Sequence, residues 1–427
     1  MSWDVLVRLL LVEPSMIDVS GLPVPSGPLG EVLRSIRARA NEIVRFQRWL
    51  HRSPELSWCE VGTTRAVEER LPAGVSAQRF VGSTGLFVDV GAQVPDFRVG
   101  LRADMDALPL AERTGLPWAS RVADVSHCCG HDVHTASLLG AVVGLSGVAD
   151  VLRDAGVGVR CFFQPAEESH PSGARMVQGS GAADGVDVFY ALHCDPATDL
   201  GRVGLRVGPI TAAADRVEVR VSGAGGHTSR PHLTQDVTFA LAKVVTELPA
   251  LLTRVVDARA SVVLVWGSVH AGDAGNVIPD RGVARGTLRV ADAGVWQTLE
   301  PLVRRLVSQV VAPFGVEVEV EYVQGVPPVV NTLHGVEGAR LAVSSAFGVD
   351  AAVDAVQSMG GEDFAWLLQG AEGALLRLGT RTPGGCTYDL HRGDLVVDPA
   401  SAVFGAQLYA ALPFAAAKVA GRGFVDV

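Results

Sequence analysis

Between Ser35 and Arg52 apolar residues return at helical spacing, at Ile36, Ala40, Ile43, Val44, Phe46 and Leu50, and Pro54 closes the helix that this pattern predicts. A second helix is predicted over residues 61–71. Two β-branched and aromatic runs, 85–90 and 97–102, read as strands. Leu138, Leu139, Val142 and Leu145 predict a helix opening near Asp132, whose carboxylate would serve as its N-cap. Residues 157–163 and 186–192 read as buried strands. Strands alternating with helices describe an α/β domain with a largely parallel sheet, and such sheets bind ligands beyond the carboxyl ends of their strands.

From about residue 211 the pattern changes. A strand of alternating polarity at 216–222 is followed by a helix at 236–252, strands at 261–268 and 282–290, a helix at 295–311 and a strand at 316–322. This β-α-β-β-α-β order is the ferredoxin-like plan of an independent small domain. Gln324-Gly325-Val326-Pro327-Pro328 reads as the return linker. Helices at 335–346 and 362–369, a strand at 375–378 and a last helix from Pro399 complete the chain. The expected organisation is an α/β domain built from 29–210 and 326–427, an α+β domain inserted over 211–325, and a loosely attached extension over 1–28.

The 427-residue length fits two cores better than one. With 48% hydrophobic and 19% charged residues the chain is not generally disordered. Its formal net charge of −10 leaves no electrostatic footprint for nucleic acid and disfavours an acidic membrane surface. No run reaches the roughly 20 apolar residues of a membrane span. The apolar stretch at 5–12 is interrupted by Arg8 and lacks the flanks of a signal peptide. Six cysteines are too few for a disulfide framework, so a reducing, cytoplasmic setting is expected.

Candidate chemistry concentrates in Ser126-His127-Cys128-Cys129-Gly130-His131-Asp132-Val133-His134. Cys129 and His131, two residues apart, point to one side of extended backbone and can reach one ion; alone, such a pair is more often a buried thiol beside a structural histidine. Glu167-Glu168 follows an apolar strand and Pro165, so one carboxylate can bind metal while the other faces a substrate. A glutamate beside an activated water is a general base for amide hydrolysis. His193 and His391 each follow apolar residues. Thiolate, imidazole and carboxylate together suit zinc-like divalent ions. In the inserted segment, His227 sits in the glycine-rich turn 223–226, Asn276 precedes Val277-Ile278-Pro279-Asp280, and Arg289 offers a guanidinium able to clamp a carboxylate. Cys59, Cys161, Cys194 and Cys386 read as small core residues.

Together these motifs resemble the metal-dependent amidohydrolases that include aminoacylases, hippurate hydrolases, auxin-conjugate hydrolases and the carboxypeptidase G type. The resemblance runs from His51-Arg52-Ser53-Pro54-Glu55-Leu56-Ser57 to the last helix. It includes Arg102-Ala103-Asp104-Met105-Asp106-Ala107-Leu108-Pro109, Cys129-Gly130-His131-Asp132-Val133-His134, Gln164-Pro165-Ala166-Glu167-Glu168, Gly225-Gly226-His227 and Met359-Gly360-Gly361-Glu362-Asp363-Phe364. It implies a zinc-peptidase-like catalytic domain carrying a ferredoxin-like dimerisation domain. It also implies two divalent ions, zinc or manganese before cobalt or nickel, on Cys129, His131, Glu168, His193 and His391, with Glu167 as general base. Asp106 would orient a metal-binding histidine. His227 would reach the partner's active site in a homodimer, with Asn276 beside it and Arg289 as the carboxylate clamp. The implied substrates are N-acyl amino acids; a dipeptidase or carboxypeptidase on the same scaffold is the alternative. A thiol hydrolase using Cys129 with His131, and a non-catalytic dimeric binding protein, are the rivals from other classes. Two positions depart from the pattern. Asp104 stands where other branches carry a metal-binding histidine, and Cys128 where a small residue such as alanine is expected.

Overall fold

The computed structural model describes residues 21–422 and 424, which fall into two compact units. The first holds the described residues through Gly208, Asn331–Val356 and those from Trp366 onward; the second holds Pro209–Val330 and Gln357–Ala365. Residues 1–20, including the apolar stretch at 5–12, lie outside the described residues. The expected extension nevertheless ends early, because a helix begins at Gly27 with Pro28 in its first turn, where a missing N–H costs nothing. The single helix expected from Ser35 is two, Gly27–Ala38 and Ala40–Arg52, broken where Arg39 leaves helical geometry at φ −103° and ψ 12°. Each buries its own apolar stripe, through Leu29, Val32, Leu33 and Ile36 and through Ile43, Val44, Phe46 and Leu50.

The first unit is built on an eight-stranded sheet. Its order is Ala77–Arg79, Leu86–Gly91, Val157–Gln164, Phe97–Asp104, Val188–Asp199, Glu372–Arg381, Val203–Leu205 and Ala352–Asp354. The central pairs are parallel, and Leu86–Gly91 joins them antiparallel. The central strands are apolar along nearly their whole length, as strands covered on both faces must be. Helices His131–Ser146 and Ser401–Val419 pack together and are buried on almost every side. The latter is long and apolar enough to cross a membrane, but 89% of it is enclosed in this core. The helix expected at 362–369 is only the 3-10 turn Asp363–Trp366. Cys161 and Cys194 are buried, whereas Cys59 and Cys386 are exposed and belong to no core.

The parallel ladder between Phe97–Asp104 and Val188–Asp199 runs from Val99↔Val188 to Arg102↔Ala191 and stops there. Asp104, the last residue of its strand, and His193 therefore lie past the last paired residues, where the two strands part. The latter strand continues to Asp199 by pairing with Glu372–Arg381, so His193 sits within it and not at the end that the sequence suggests.

The second unit has four antiparallel strands in the order Val263–Ala271, Arg281–Val290, Ala213–Ser222, Glu317–Val326. Helices Val237–Val255 and Ala293–Val311 are capped by the carboxylates of Asp236 and Asp292, which accept the N–H groups of Phe239 and Val295. The element order is ferredoxin-like. Asp215 is fully buried here, accepting from Trp296 Nε1 at 3.0 Å, Gly325 N at 2.8 Å and the Tyr322 hydroxyl. Burial pushes its pKa up, against the pull of those donors. Asp215→Ala should therefore cost about 3 kcal/mol, because it strips a shared acceptor from buried donors. Denaturant unfolding checks this; an unchanged midpoint contradicts it.

Candidate metal centre

Gly130 makes the first turn of the site. Its φ of +87° is left-handed, and a Cβ there would lie 2.6 Å from Cys194 Sγ, so only glycine fits on both counts. The turn delivers Cys129 and His131, the first residue of the following helix, to one space. Gly130 takes the cap position, and Asp132 does not cap the helix as expected. Its carboxylate instead accepts from Gln47 Nε2 at 2.6 Å and pairs with His51 Nδ1 at 2.8 Å. Burial would raise the pKa of Asp132, but His51 outweighs it and holds the acid at about 2.

Asp106 organises the opposite wall. One of its oxygens accepts from Glu167 N at 3.1 Å and lies 3.3 Å from His131 Nδ1; the other accepts from Glu168 N at 3.0 Å and Ser57 Oγ at 2.6 Å. Burial alone would raise its pKa; His131, Ser57 and the Glu168 amide more than offset it and hold the acid below the usual range. Ala166, at a φ of +53°, turns the chain after Gln164 so that both glutamate amides face this carboxylate.

The five expected ligands meet. Ligand atoms of Cys129, Glu168 and His391 lie within 4.8 Å of one another, as do those of His131, Glu167 and Glu168. Cys129 Sγ is 3.6 Å from His193 Nε2, and His391 Nε2 is 3.1 Å from Glu168 Oε1. His193 Nδ1 donates to the Cys194 carbonyl at 2.8 Å, which leaves Nε2 as the free nitrogen facing the thiol. His391 has a φ of +58°, and its N–H donates to the Cys128 carbonyl at 2.8 Å. Burial, then Glu168 and Glu167, push the Cys129 thiol well above its ordinary value. His131 is pushed up to about 10, because Asp104 and Asp106 outweigh the opposing effect of burial. His131 Nε2 is buried with no hydrogen-bond partner, and Glu168 Oε1, also buried, faces His391 Nε2. A buried imidazole nitrogen without a partner, 4.0 Å from a carboxylate oxygen and amid thiol and further imidazole, fits divalent ions.

Asp104 is not free to act as a ligand. One oxygen lies 2.6 Å from His134 Nδ1 and the other accepts from Arg102 at 2.7 Å. The motifs contain His134 and Arg102 but give neither a role. The available signal is spacing: His134 lies three residues after His131 on one helix, hence on the same face. Cys128 is buried beside the Ser126 hydroxyl, with burial as the main cause of its raised pKa.

His227, Asn276 and Arg289 belong to the second unit. His227 is exposed, and its two-residue strand pairs with Val277–Ile278. Its Nδ1 accepts from Ser229 N at 3.1 Å, so the ring proton resides on Nε2. The Asn276 carbonyl accepts from Thr228 N at 3.3 Å, which places that residue beside His227. Arg289 donates to the Met359 carbonyl at 2.5 Å.

Comparison with known proteins extends this picture. A protein of Rhodococcus jostii (strain RHA1) carrying a provisional glutamate–cysteine ligase name is 45% identical over 372 residues, 87% of this chain but 46% of that protein. The chain thus spans about half the length of that relative. N-acetyl-L-cysteine deacetylase of Bacillus subtilis (strain 168) is 34% identical over 364 residues, 85% of each chain. The crystal structure of a Bacillus subtilis dinuclear metal-binding peptidase of the M20 family superposes with a TM-score of 0.77 at 29% identity, covering 88% of this chain and 98% of that one. The profile of peptidase family M20/M25/M40 matches residues 100–414, and the chain belongs to that family.

Proposed function

We propose that the chain hydrolyses the amide bond of N-acyl amino acids, releasing a carboxylic acid and a free amino acid. The observation that carries this reading is the convergence of Cys129, His131, Glu168, His193 and His391 beside Glu167, with His131 Nε2 buried and without a hydrogen-bond partner. The similarity to a deacetylase of N-acetyl-L-cysteine supports the substrate class. The dinuclear relative supports two ions per chain, with zinc or manganese suited to the mixed thiol, imidazole and carboxylate set.

When bound, the ions would polarise the acyl carbonyl and make water acidic enough to yield a nucleophile at neutral pH. The remaining work falls to the chain. Glu167 takes a proton from the attacking water and returns it to the leaving amine. Asp106 fixes both glutamate amides and the His131 ring, so the base and one ligand keep a set spacing. His227, whose Nε2–H is free to donate, holds the developing oxyanion of a partner's site in a homodimer, beside Asn276. Arg289 grips the substrate carboxylate. A cytoplasmic location suits the reduced thiol at Cys129.

Purified protein should contain up to two divalent ions per chain. Chelation should abolish activity and the ion should restore it. Turnover of N-acetyl amino acids should exceed that of dipeptides at least tenfold in kcat/KM. Full activity in metal-free protein would point to thiol chemistry instead, and a preference for dipeptides would move the reading to a peptidase.

A further inference from the structure

Past Arg102↔Ala191 the two central strands are no longer joined by backbone hydrogen bonds. His193 follows directly on this split, the His131 ring lies 3.7 Å from Asp104 on the other strand, and side chains bridge the split at two levels. Lower down, the Tyr409 hydroxyl donates to the Arg102 carbonyl and accepts from Leu192 N at 3.1 Å. Higher up the bridge is His134. Its Nε2 accepts from Cys194 N at 2.8 Å, so the ring proton lies on Nδ1, which faces Asp104 at 2.6 Å. The other Asp104 oxygen is taken by Arg102, whose Nε donates to Gln164 at 2.9 Å. All four of these side chains, Gln164, Arg102, Asp104 and His134, are completely buried.

The His134 ring also stands between the two histidines. Its centroid is 5.4 Å from that of His131, nearly stacked at 29°, and 5.4 Å from that of His193, tilted at 55°. The residue tied to His134 through its N–H, Cys194, is the same one whose carbonyl fixes the His193 tautomer. One imidazole therefore touches both rings, holds the backbone beneath one of them, and is itself locked by a carboxylate and a guanidinium.

We infer that His134 is a positioning residue, a strut across the split between the two strands that sets the spacing and orientation of the His131 and His193 rings before any ion arrives, with Asp104 and Arg102 fixing its tautomer. The inference rests on the metal reading of the site. It explains why an aspartate at 104 is compatible with that reading: Asp104 supports the strut and binds no ion. Although ligand atoms of Asp104, His131 and His134 lie within 4.8 Å of one another, both Asp104 oxygens and both His134 nitrogens are already engaged. Residues that orient metal ligands in this way commonly change affinity about 10- to 100-fold when replaced.

The test uses full-length protein with His134→Ala, His134→Gln and Asp104→Asn. In metal-free protein, amide hydrogen exchange at the segment containing Cys194 should be at least tenfold faster in His134→Ala than in wild type. Titration with cobalt against a chelating indicator should show wild type binding two ions and His134→Ala binding at least one of them tenfold or more weakly. The visible spectrum of the bound cobalt should also change, reporting altered ligand geometry. His134→Gln, which keeps a donor and an acceptor, should recover part of the affinity, and Asp104→Asn should fall between. If His134→Ala does not fold, the other two variants carry the same comparison. Wild-type exchange, affinity and spectrum in the folded variants would overturn the strut. Loss of a third ion with the other two unchanged would overturn it as well, by making the triad a metal site. Failure of wild type to bind cobalt would instead overturn the metal reading on which the strut depends.

Discussion

Glu167→Gln should leave the metal content intact and lower kcat by roughly a hundredfold or more, the scale of a lost general acid–base group. Glutamine keeps the shape and polarity of the side chain but cannot accept the proton. KM should change little, because the missing proton transfer belongs to the transition state. Glu168→Ala should do something different. Glu168 Oε1 lies 3.1 Å from His391 Nε2 and 4.0 Å from His131 Nε2, so its removal takes away an oxygen that two other ligand atoms share. That variant should be purified with less metal, and added ion should restore part of its rate. Metal analysis beside steady-state kinetics separates the two. If Glu167→Gln lost metal while Glu168→Ala kept it, the adjacent carboxylates would have to exchange roles.

What the sequence revealed and what it hid divide by range. The helix and strand periodicities are local, and they point to five of the eight strands of the large sheet and to the ferredoxin-like order, missing the three-residue strands Ala77–Arg79, Val203–Leu205 and Ala352–Asp354, which are too short to show a period, and the extension of Val188–Asp199. The Cys129–His131 spacing is local as well. The acids were harder. Asp132 reads as an N-cap because it precedes a helical run, yet its partners Gln47 and His51 lie 85 and 81 residues earlier in the chain. A buried carboxylate follows its strongest charge partner, and no local pattern announces that partner. Asp104 is similar: its partner His134 lies 30 residues on, and its pairing with Arg102, only two residues back, becomes visible once the strand end is buried. The break at Arg39 escaped notice because the apolar spacing continues across it. Cys59 and Cys386 were misplaced for a simpler reason, since thiol hydrophobicity is only an average tendency and both lie on exposed segments.

His227→Ala should lower kcat strongly with metal content unchanged. Ser229 N donates to Nδ1, so Nε2 carries the proton, and the side chain is exposed and free to present that N–H to an acceptor outside its own turn. A donor aimed at the developing oxyanion is worth about 3–4 kcal/mol, on the order of a hundred- to a thousandfold in rate. The second unit ends in an outer strand, Val263–Ala271, with exposed Val263, Val265 and Val269, an edge of the kind that natural sheets cover. Pairing through such an edge about a two-fold axis would make a symmetric dimer and carry each His227 to the neighbouring chain. Mixing tests this arrangement directly. His227→Ala and Glu167→Gln proteins should each be nearly inactive alone. After subunit exchange at equal concentrations, half the dimers should be mixed, and one of the two sites in each should hold an intact Glu167 together with the partner's intact imidazole. Activity should therefore return to about a quarter of wild type. Size-exclusion chromatography of differently tagged chains establishes that exchange has occurred. Exchange without recovered activity would place His227 in the service of its own chain, or outside catalysis altogether.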